Sequence, residues 1–593
     1  MVSRISGFTG RTTERRSNMN VDPITVEVVR GALMFAAEEM GIALRNSAYS
    51  PNIKERMDHS CAIFDSRRRL VAQAEHIPVH LGSMALAVQT GLSQYEGSLL
   101  DRDMLLLNDP YISGTHLPDL TMIAPVYLRD QLISYVANKA HHSDVGGRAP
   151  GSLAGDATEI YQEGIIIPPV KFVRDGEIDR DLLDIVLSNV RTPKVRMGDI
   201  RAQIAANLLG IKRVLELAAQ KKGEALLGTI DAIMDFSEKR MRDEISKMPE
   251  GTYTGEDFLE DTGVSDEPAK IHVQTTVKGD RLTIDYTGTD AQVDGPVNAP
   301  FGVTLSGVYY TLISVTDSTI PINDGCYRPV TVKAPEGCLL NPLRPAPVAG
   351  GNVETSQRNV DALMKVFAQV VPTKVCAAGQ GTMNNVCVGG LDPKTRQPWA
   401  LYETIGGGYG GRNGLDGVDG IHVHMTNTMN TPVEAVEAFY PIRFTSYTLR
   451  PDTGGPGKWR GGCGLERSWT LLATSATLSI IAERTKIRPW GLLAGGSGAL
   501  GEYLLKRQNG AVERLRAKCT VRIEQGDTVI IRTPGGGGYG PPLERDPELV
   551  LRDVKNGLVT TRSARDDYGV VINPKTFEAL QKETSELRSR LTA

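Results

Sequence analysis

The sequence predicts a mixed α+β protein of more than one domain, with a strand-rich, metal-binding N-terminal half and a glycine-rich, β-containing C-terminal half. A chain of 593 residues exceeds what a single hydrophobic core usually supports. Short apolar runs alternate with loops in the first third of the chain, as the strands of a sheet do. Clusters of glycine interrupt the chain beyond Pro342, which indicates chain reversals and close backbone contacts.

The predicted boundaries divide the chain into four parts. The first twenty residues are polar and basic without an apolar run, so we expect them to be disordered. The expected parts are a disordered tail over 1–20, an α/β region with the metal site over 21–248, a β-rich region over 249–540 and a helical segment over 541–593.

Helices are expected in both halves of the chain. Asp22 and Pro23 provide an N-cap and a proline at the first helical position, and apolar residues at helical spacing extend this helix to about Ser47. A second apolar stripe predicts a helical region over about 199–247. Further helices are expected after Pro300 and in the last fifty residues.

Strands are expected wherever short apolar runs lie between turn residues. The stretch that begins at Lys270 alternates in two segments around a Lys-Gly-Asp turn, which predicts a β-hairpin. The N-terminal runs interpreted as strands are CAIFD, RRLVAQA, MLLLND, TMIAPVYL, QLISYVANKA and GIIIPPVKF.

Composition excludes several classes of function. The net charge is -4 and no basic face is interleaved with aromatic residues, which disfavours nucleic-acid binding. No apolar run approaches 18 residues, so no membrane span is expected. The N-terminus has no apolar signal region, and the seven scattered cysteines form no C-x-x-C pair. We therefore expect a cytoplasmic protein with reduced thiols.

Histidine is concentrated in the first quarter of the chain, where six of the nine histidines lie. Two His-x-x-Asp units recur there, His116/Asp119 and His141/Asp144. Imidazole with carboxylate is the ligand set of a catalytic divalent metal that keeps open positions, such as Mn, Zn or Fe. We predict one divalent metal held by His116, Asp119 and His141; ordinary polar residues on a loop-rich surface are the alternative interpretation.

The residues around this trio are candidates for supporting roles. His141 and the adjacent His142 would point to opposite faces of a strand, so only one of them should be a ligand. His142 and Asp144 are then candidate acid/base groups. Asp109 and Asn138, with Asp144 as a further candidate, are expected to orient the imidazole rings.

Other polar residues leave two interpretations open. His76 and His80, with a proline between them, are taken as structural, or as lining the same pocket. His422 and His424 alternate as in a strand and would share a face, for which packing is favoured over a second ligand site. A solvated turn and a substrate or interface site are both open for the charged cluster Glu55, Arg56 and Asp58.

The chain shows no nucleotide-binding loop of a standard type. No segment matches G-x-x-x-x-G-K-[ST], and no G-x-G-x-x-G convincingly follows a strand and opens a helix. The sequence itself therefore gives no indication that this chain binds a nucleotide.

Ordered motifs from about residue 20 to residue 570 resemble the hydantoinase B/oxoprolinase family. The resemblance covers nearly the whole chain, so chance matching is excluded. The segments that carry it include SPNIKERMDHSCAIFD, NDPYISGTHLPD, ANKAHHSDVGG, GGNVETSQR, GGGYGGRNGLDG, HMTNTMNTPVEAVE and TPGGGGYGPPLERDP.

The resemblance implies a partner and a reaction. Members work with a hydantoinase A-type ATPase subunit of actin- and sugar-kinase-like fold, which would bind ATP in place of this chain, in a heterotetramer with two copies of each chain. Members open cyclic amides such as hydantoins, 5-oxoproline or lactams, or belong to ketone carboxylases. In the carboxylases the metal-binding motif falls on His116, Asp119 and His141 of this sequence. The chain length favours the amidohydrolase, with the carboxylase subunit and a non-catalytic scaffold as alternatives.

Overall fold

A computed structural model describes residues 21–74, 77–221 and 224–592. The tail expected over 1–20 lies outside these residues, as does His76. The helices are α1 Pro23–Ser47, α2 Pro51–Lys54, α3 His80–Ser93, α4 Pro110–Ser113, α5 Arg180–Ser188, α6 Pro193–Lys221, α7 Glu224–Ile245, α8 Phe301–Val315, α9 Asp324–Tyr327, α10 Ser356–Val370, α11 Val433–Phe439, α12 Pro547–Lys555, α13 Thr561–Asp566 and α14 Gln581–Thr592.

The helices confirm most of the expectations from the sequence. The Asp22 carboxylate accepts a hydrogen bond from the Thr25 backbone N–H at 3.0 Å and caps α1. The helices expected after Pro300 and near the C-terminus are α8 and α12 to α14. The region expected over 199–247 begins earlier, at Pro193, and consists of two helices, α6 and α7.

A seven-stranded antiparallel sheet forms the centre of the N-terminal part, with strand order β2-β1-β5-β4-β3-β6-β7. Both of its faces are covered: Ile63 packs in the cluster that contains α1 and α6, whereas Phe64 packs in the cluster that contains α3. Its strands therefore read as continuous apolar runs. They are β1 His59–Asp65, β2 Leu70–Gln73, β3 Met104–Leu107, β4 Asp119–Leu128, β5 Gln131–His141, β6 Val170–Arg174 and β7 Glu177–Ile178.

A second sheet, with order β11-β10-β9-β8, follows the helical region. The predicted hairpin is confirmed, because Lys278 pairs with Arg281 across a two-residue turn. Helix α10 packs against β8 and β9 and joins this sheet to the central core. The strands are β8 Gly251–Leu259, β9 Ala269–Lys278, β10 Arg281–Asp285 and β11 Val330–Lys333.

The C-terminal part contains two more sheets, with orders β13-β12-β16-β19 and β14-β15-β20-β17-β18. The glycine-rich loops beside them pack backbone against backbone. A Cβ atom on Gly408 would lie 2.0 Å from the carbonyl oxygen of Gly462, so only glycine fits there. The strands are β12 Asn385–Leu391, β13 Pro398–Glu403, β14 Ile442–Leu449, β15 Leu465–Leu471, β16 Ser475–Ile481, β17 Glu502–Lys506, β18 Val512–Arg514, β19 Lys518–Glu524 and β20 Thr528–Arg532.

A buried ionic network ties α10 to the C-terminal sheets. Asp361 accepts from Arg484 at 2.6 Å and from Arg358 at 3.1 Å. Arg358 also bonds Glu483 at 3.3 Å, and Glu483 pairs with Lys518 on β19. These five side chains are almost fully buried, so each charge depends on its neighbours for compensation.

We expect Lys518→Met to lower the free energy of unfolding by about 3–5 kcal/mol, because Glu483 would keep a buried charge without its nearest cation. A matched control is Lys212→Met, which removes a lysine that is 66% exposed and pairs with Glu216 at 3.9 Å; its effect should stay below about 1 kcal/mol. Thermal and urea unfolding of both variants measure the difference. Equal small effects would show that the network is not stabilising.

Candidate metal centre

His116 lies in the loop between α4 and β4. The Asp109 carboxylate caps α4 by accepting from the Tyr111 backbone N–H at 3.2 Å. Gly114 ends that helix at φ 72°, and a Cβ atom there would lie 2.8 Å from the Cα atom of Gly302. This tight turn brings the buried imidazole of His116 toward the sheet.

Asp119 and His141 lie on neighbouring strands of the sheet. Asp119 is the first residue of β4, His141 is the last residue of β5, and the two pair directly in the antiparallel register. Directly opposed residues present their side chains to the same face. The predicted strand TMIAPVYL therefore begins two residues earlier, at Asp119, and the predicted strand QLISYVANKA extends by one residue to His141.

The three side chains converge on one point. Asp119 Oδ1 lies 3.2 Å from His116 Nε2 and 3.1 Å from His141 Nδ1, and the two ring nitrogens are 3.1 Å apart. A tetrahedral ion with ligands at about 2.0–2.1 Å would separate its ligand atoms by about 3.3–3.4 Å. Three acceptor atoms this close need a cation or shared protons between them. The donor set and its spacing therefore fit a divalent metal.

The remaining atoms of the trio support this fit. His116 Nδ1 lies 3.4 Å from the carbonyl oxygen of Ala349, a contact that favours a proton on Nδ1 and leaves Nε2 free as a ligand. Asp119 Oδ2 and His141 Nε2 are buried without a hydrogen-bond partner. The His141 ring stacks on Tyr402 with 4.5 Å between ring centroids, which fixes its orientation.

Burial and charge set the protonation of these groups. Burial alone would raise the pKa of Asp119, but His116, His141 and His80 outweigh it and hold that pKa well below its usual range. Burial lowers the pKa of His141 and that of His80. An ionised carboxylate beside neutral imidazoles is the state that metal binding requires.

A cavity of about 20 Å³ lies beside the trio, which is room for about one water molecule. Its wall draws on both halves of the chain, so the site is built by tertiary contacts that no local motif reveals. The lining residues are Asp58, Ile77, Val79, His80, His116, Asp119, His141, Asn352, Val353, Met383, Tyr402, Thr404, Met425, Thr426 and Thr428.

The charged cluster after α1 belongs to this site, so the interpretation as a solvated turn is wrong for two of its members. Arg56 is fully buried and bonds Thr404 at 2.5 Å, Thr428 at 3.3 Å and the Tyr402 carbonyl at 3.1 Å. Asp58 lines the cavity, and burial, with the neighbouring Asp119, raises its pKa. Asp58 is thus the second carboxyl group at the cavity.

His80 also lines the cavity, as the alternative interpretation of the His76/His80 pair held. Its Nδ1 lies 2.9 Å from Ser60 Oγ, and its Nε2 lies 3.6 Å from Asp119 Oδ2. The ring therefore stands next to the ligand carboxylate, within reach of the trio.

The other predicted site residues lie outside the cavity wall. His142 points to the opposite side of β5 from His141, as expected, and its Nε2 contacts Gln203 on α6 at 2.9 Å. Asn138 donates to Asn207 and to the Gln203 carbonyl, both at 2.8 Å. It therefore supports His142 through α6, and its hydrogen bonds do not reach the trio.

The carboxylates of Asp144 and Asp109 bind backbone and arginine groups. Asp144 accepts from Arg191 at 2.9 Å and from the Gly151 N–H at 3.1 Å. Asp109 caps α4 and accepts from Arg344 at 2.5 Å. Their hydrogen bonds fix loops near the site, and neither carboxylate orients an imidazole ring of the trio.

His422 lies in an irregular segment and His424 in a turn, which corrects the expectation of a strand. His424 adopts φ 49°, a conformation that breaks strand alternation. Its Nε2 lies 3.5 Å from Asp361 Oδ1 in the ionic network, whereas burial lowers the pKa of His422 to about 3. Among the described residues, only His116, Asp119 and His141 form a candidate metal group, so packing stays the favoured interpretation for His422 and His424.

Glu163 holds the segment that contacts His116. Its carboxyl oxygens accept from the backbone N–H groups of Val348 and Ala349 at 3.1 and 3.0 Å, and the Ala349 carbonyl faces His116. Burial raises the pKa of Glu163 to about 8, although the two N–H groups partly oppose the shift. Nothing in the local sequence marks this role.

Comparison with known proteins identifies the class of the chain. Residues 22–542 match the family model described as Hydantoinase B/oxoprolinase. The chain therefore belongs to the hydantoinase B/oxoprolinase family, which confirms the resemblance seen in the sequence.

Its relatives include proteins of similar length and longer ones. It is 46% identical to an uncharacterized protein of Methanocaldococcus jannaschii, over 96% of this chain and 100% of that protein. It is 37% identical to the putative B chain of a D-/L-hydantoinase from a Pseudomonas species, over 96% and 98% of the two chains. A 5-oxoprolinase of Dictyostelium discoideum is 35% identical over 88% of this chain, which spans only 40% of that protein.

Two solved structures share the fold. The ATP-dependent caprolactamase from Pseudomonas jessenii superposes with a TM-score of 0.89 at 30% identity, over 96% of this chain and 100% of that one. A nucleotide-free acetone carboxylase gives the same TM-score at 20% identity, over 97% and 83% of the two chains; this likeness concerns the fold alone. Within the described residues, no helix is both long and apolar enough to cross a membrane.

We expect His116→Ala and Asp119→Asn to lose a bound divalent metal, because each removes one of three converging ligands. His272→Gln is the control, since His272 lies on β9 and bonds the Thr287 carbonyl. Elemental analysis of the purified proteins measures occupancy. Full occupancy in both ligand variants would refute the site.

Glu163→Gln should change how stability depends on pH. The folded chain keeps the Glu163 proton up to about pH 8, whereas the unfolded chain releases it near pH 4.5. The contribution of this group is thus fully present below about pH 4.5 and is lost as pH rises toward 8. We expect the wild type to lose stability relative to Glu163→Gln between about pH 5 and 8, by an amount on the order of a few kcal/mol. Parallel unfolding curves across this range would contradict it.

Proposed function

We propose that this chain is the metal-bearing subunit of an ATP-dependent cyclic amidohydrolase that opens a hydantoin, 5-oxoproline or lactam ring. The observation that carries the proposal is the buried convergence of His116, Asp119 and His141 beside a small cavity. Hydantoinase, 5-oxoprolinase and caprolactamase among its relatives support the reaction class.

The trio would hold one divalent ion, with Mn, Zn or Fe matching two imidazoles and one carboxylate. When bound, such an ion polarises a carbonyl group and lowers the pKa of water. The surroundings of the trio keep His141 neutral and Asp119 ionised. Tyr402, stacked on His141, and the Ala349 carbonyl beside His116 hold the two rings in place.

Proton transfer needs a group that faces the reacting amide. Asp58 lines the cavity and its raised pKa lets the carboxyl group hold a proton closer to neutral pH. The acid/base role of His142 and Asp144 stays a prediction, and their side chains lie off the cavity wall. Apolar lining residues exclude bulk water from the site: Ile77, Val79, Val353, Met383 and Met425.

ATP would be bound by a separate hydantoinase A-type ATPase subunit, in a heterotetramer with two copies of each chain. The absence of a standard phosphate-binding loop from the sequence supports this division. So does the length of the 5-oxoprolinases, of which this chain spans about two fifths. Transfer of the γ-phosphoryl group from ATP to the amide oxygen, with ADP leaving, would make the ring carbon electrophilic enough for attack by water. The C–N bond would then break to leave an amine and an acyl phosphate, and a second water molecule would hydrolyse the acyl phosphate to a carboxylate and inorganic phosphate.

A ketone carboxylase subunit is the second candidate, favoured by the fold shared with acetone carboxylase. The same metal site would serve it by stabilising an enolate. The amidohydrolase is preferred because the structural relative with the higher identity, 30% against 20%, is a caprolactamase. A non-catalytic scaffold does not account for the buried cluster of metal-ligand groups.

The co-expressed complex is expected to open a cyclic amide only in the presence of ATP, and the isolated chain should not hydrolyse ATP. The substrates to assay are hydantoin, 5-oxoproline and ε-caprolactam. His116→Ala should reduce turnover at least a hundredfold, whereas His272→Gln should leave it unchanged. Fixation of labelled bicarbonate into acetone or acetophenone, without opening of any amide, would overturn the proposal in favour of the carboxylase.

A further inference from the structure

The cavity wall contains one π-helical turn, Gly351–Thr355, at the start of α10. Such turns are rare and are found often at functional sites. Gly351 packs so closely on the preceding segment that a Cβ atom would lie 1.8 Å from the Asn298 carbonyl oxygen. The Gly351 N–H also donates to the Pro296 carbonyl at 2.9 Å. The turn is therefore held in one position.

The polar side chains that follow in this segment are used to build the fold. Glu354 accepts from the Met383 N–H at 3.1 Å and from Asn385 at 2.8 Å. Gln357 donates to the Val423 carbonyl and to Thr426, at 3.0 and 2.8 Å. These bonds fix the neighbouring walls of the cavity, which contain Met383 and Thr426.

Asn352 is one of the residues that line the cavity, is only 4% exposed, and makes no side-chain hydrogen bond within the described residues; its Oδ1 is buried without a partner. Glu354 and Gln357 also keep one buried oxygen without a partner, but each makes two other hydrogen bonds. The other neutral polar residues of the wall are satisfied within the protein: Tyr402 by Asn385, Thr404 and Thr428 by Arg56 and each other, and Thr426 by Gln357. A buried acceptor without a donor is destabilising, so an unsatisfied amide in the cavity wall needs an explanation.

We infer that Asn352 is a specificity-determining residue whose side-chain oxygen accepts a hydrogen bond from the ring N–H of the substrate. The inference rests on the proposed function and narrows it to cyclic amides that carry an unsubstituted N–H. A ring amide offers a donor N–H beside its carbonyl, whereas a ketone offers no donor. The cavity has room for about one water molecule, so the ring would enter only after the wall moves outward; its carbonyl would then face the His116–Asp119–His141 trio while the N–H meets Asn352, since both line the cavity.

A site built around a hydrogen bond rejects analogues that lack the donor, because its own buried group then stays unpaired. N-methylation of the amide removes the donor and adds bulk at the same point. The metal-loaded complex without ATP should therefore bind the parent amide at least tenfold more tightly than its N-methyl counterpart. Measuring affinity without ATP separates recognition from turnover.

The decisive variant is Asn352→Leu, which is nearly isosteric and has no polar atom. We expect it to bind the parent amide and the N-methyl amide with affinities within about threefold of each other. Val353→Ala, a neighbouring change in the same wall, is the matched control and should keep the preference for the N–H compound. The test pairs are ε-caprolactam, 5-oxoproline and hydantoin with their N-methyl forms, whichever the complex opens.

A second readout tests the unsatisfied amide itself. Removing a buried acceptor without a partner should leave the melting temperature of the free protein unchanged or raise it. A melting temperature lowered by several degrees would assign Asn352 a structural role and overturn the inference. If Asn352→Leu still prefers the N–H compound as strongly as the wild type does, the inference about Asn352 is also overturned. That result would leave the proposed amidohydrolase function unaffected. A complex that opens no cyclic amide would refute the proposed function instead.

Discussion

The pairing of β4 with β5 is the constraint on which the site depends. The register sets Asp119 opposite His141, and a shift by one residue would turn one of them to the other face of the sheet. Because helices cover both faces, every residue of these strands has a defined environment and the register is strongly specified. His116 then needs only a short loop to reach the same point. The candidate metal site is thus formed by the sheet and its loop together.

Residues from the second half of the chain complete the site around His116, Asp119 and His141. Tyr402 stacks on His141, and Arg56 reaches from the end of α2 to the residues around β13. Asn52 donates to the carbonyl of His141 at 2.7 Å and accepts a hydrogen bond from Arg56, so it links Arg56 to the end of β5. Burying imidazoles, carboxylates and a guanidinium together is costly unless each is paired. The two halves therefore have to assemble before the protonation states of the trio are fixed.

The sequence predicted that His116, Asp119 and His141 form one group because they lie close together along the chain and are residue types that bind metals. His116 and Asp119 are three residues apart, and His141 ends a strand with a clear apolar pattern. Asn352, Tyr402 and Thr404 could not be found in this way, since they are ordinary residues brought to the cavity by tertiary folding. Local pattern also misled: the alternation at His422 and His424 imitates a strand, but a left-handed backbone at His424 makes it a turn. Asp109 and Asp144 were expected to orient imidazole rings, but Asp109 accepts from Arg344 and Asp144 accepts from Arg191, two arginines that are distant in the sequence.

The volume of the cavity has a kinetic consequence. About 20 Å³ accommodates a water molecule but not a ring of five or more heavy atoms. Under the proposed function, each turnover would include a displacement of the wall, followed by its return to exclude solvent. Motions of this kind take microseconds to milliseconds. Solvent viscosity would then affect the rate at which a ring enters and leaves the site.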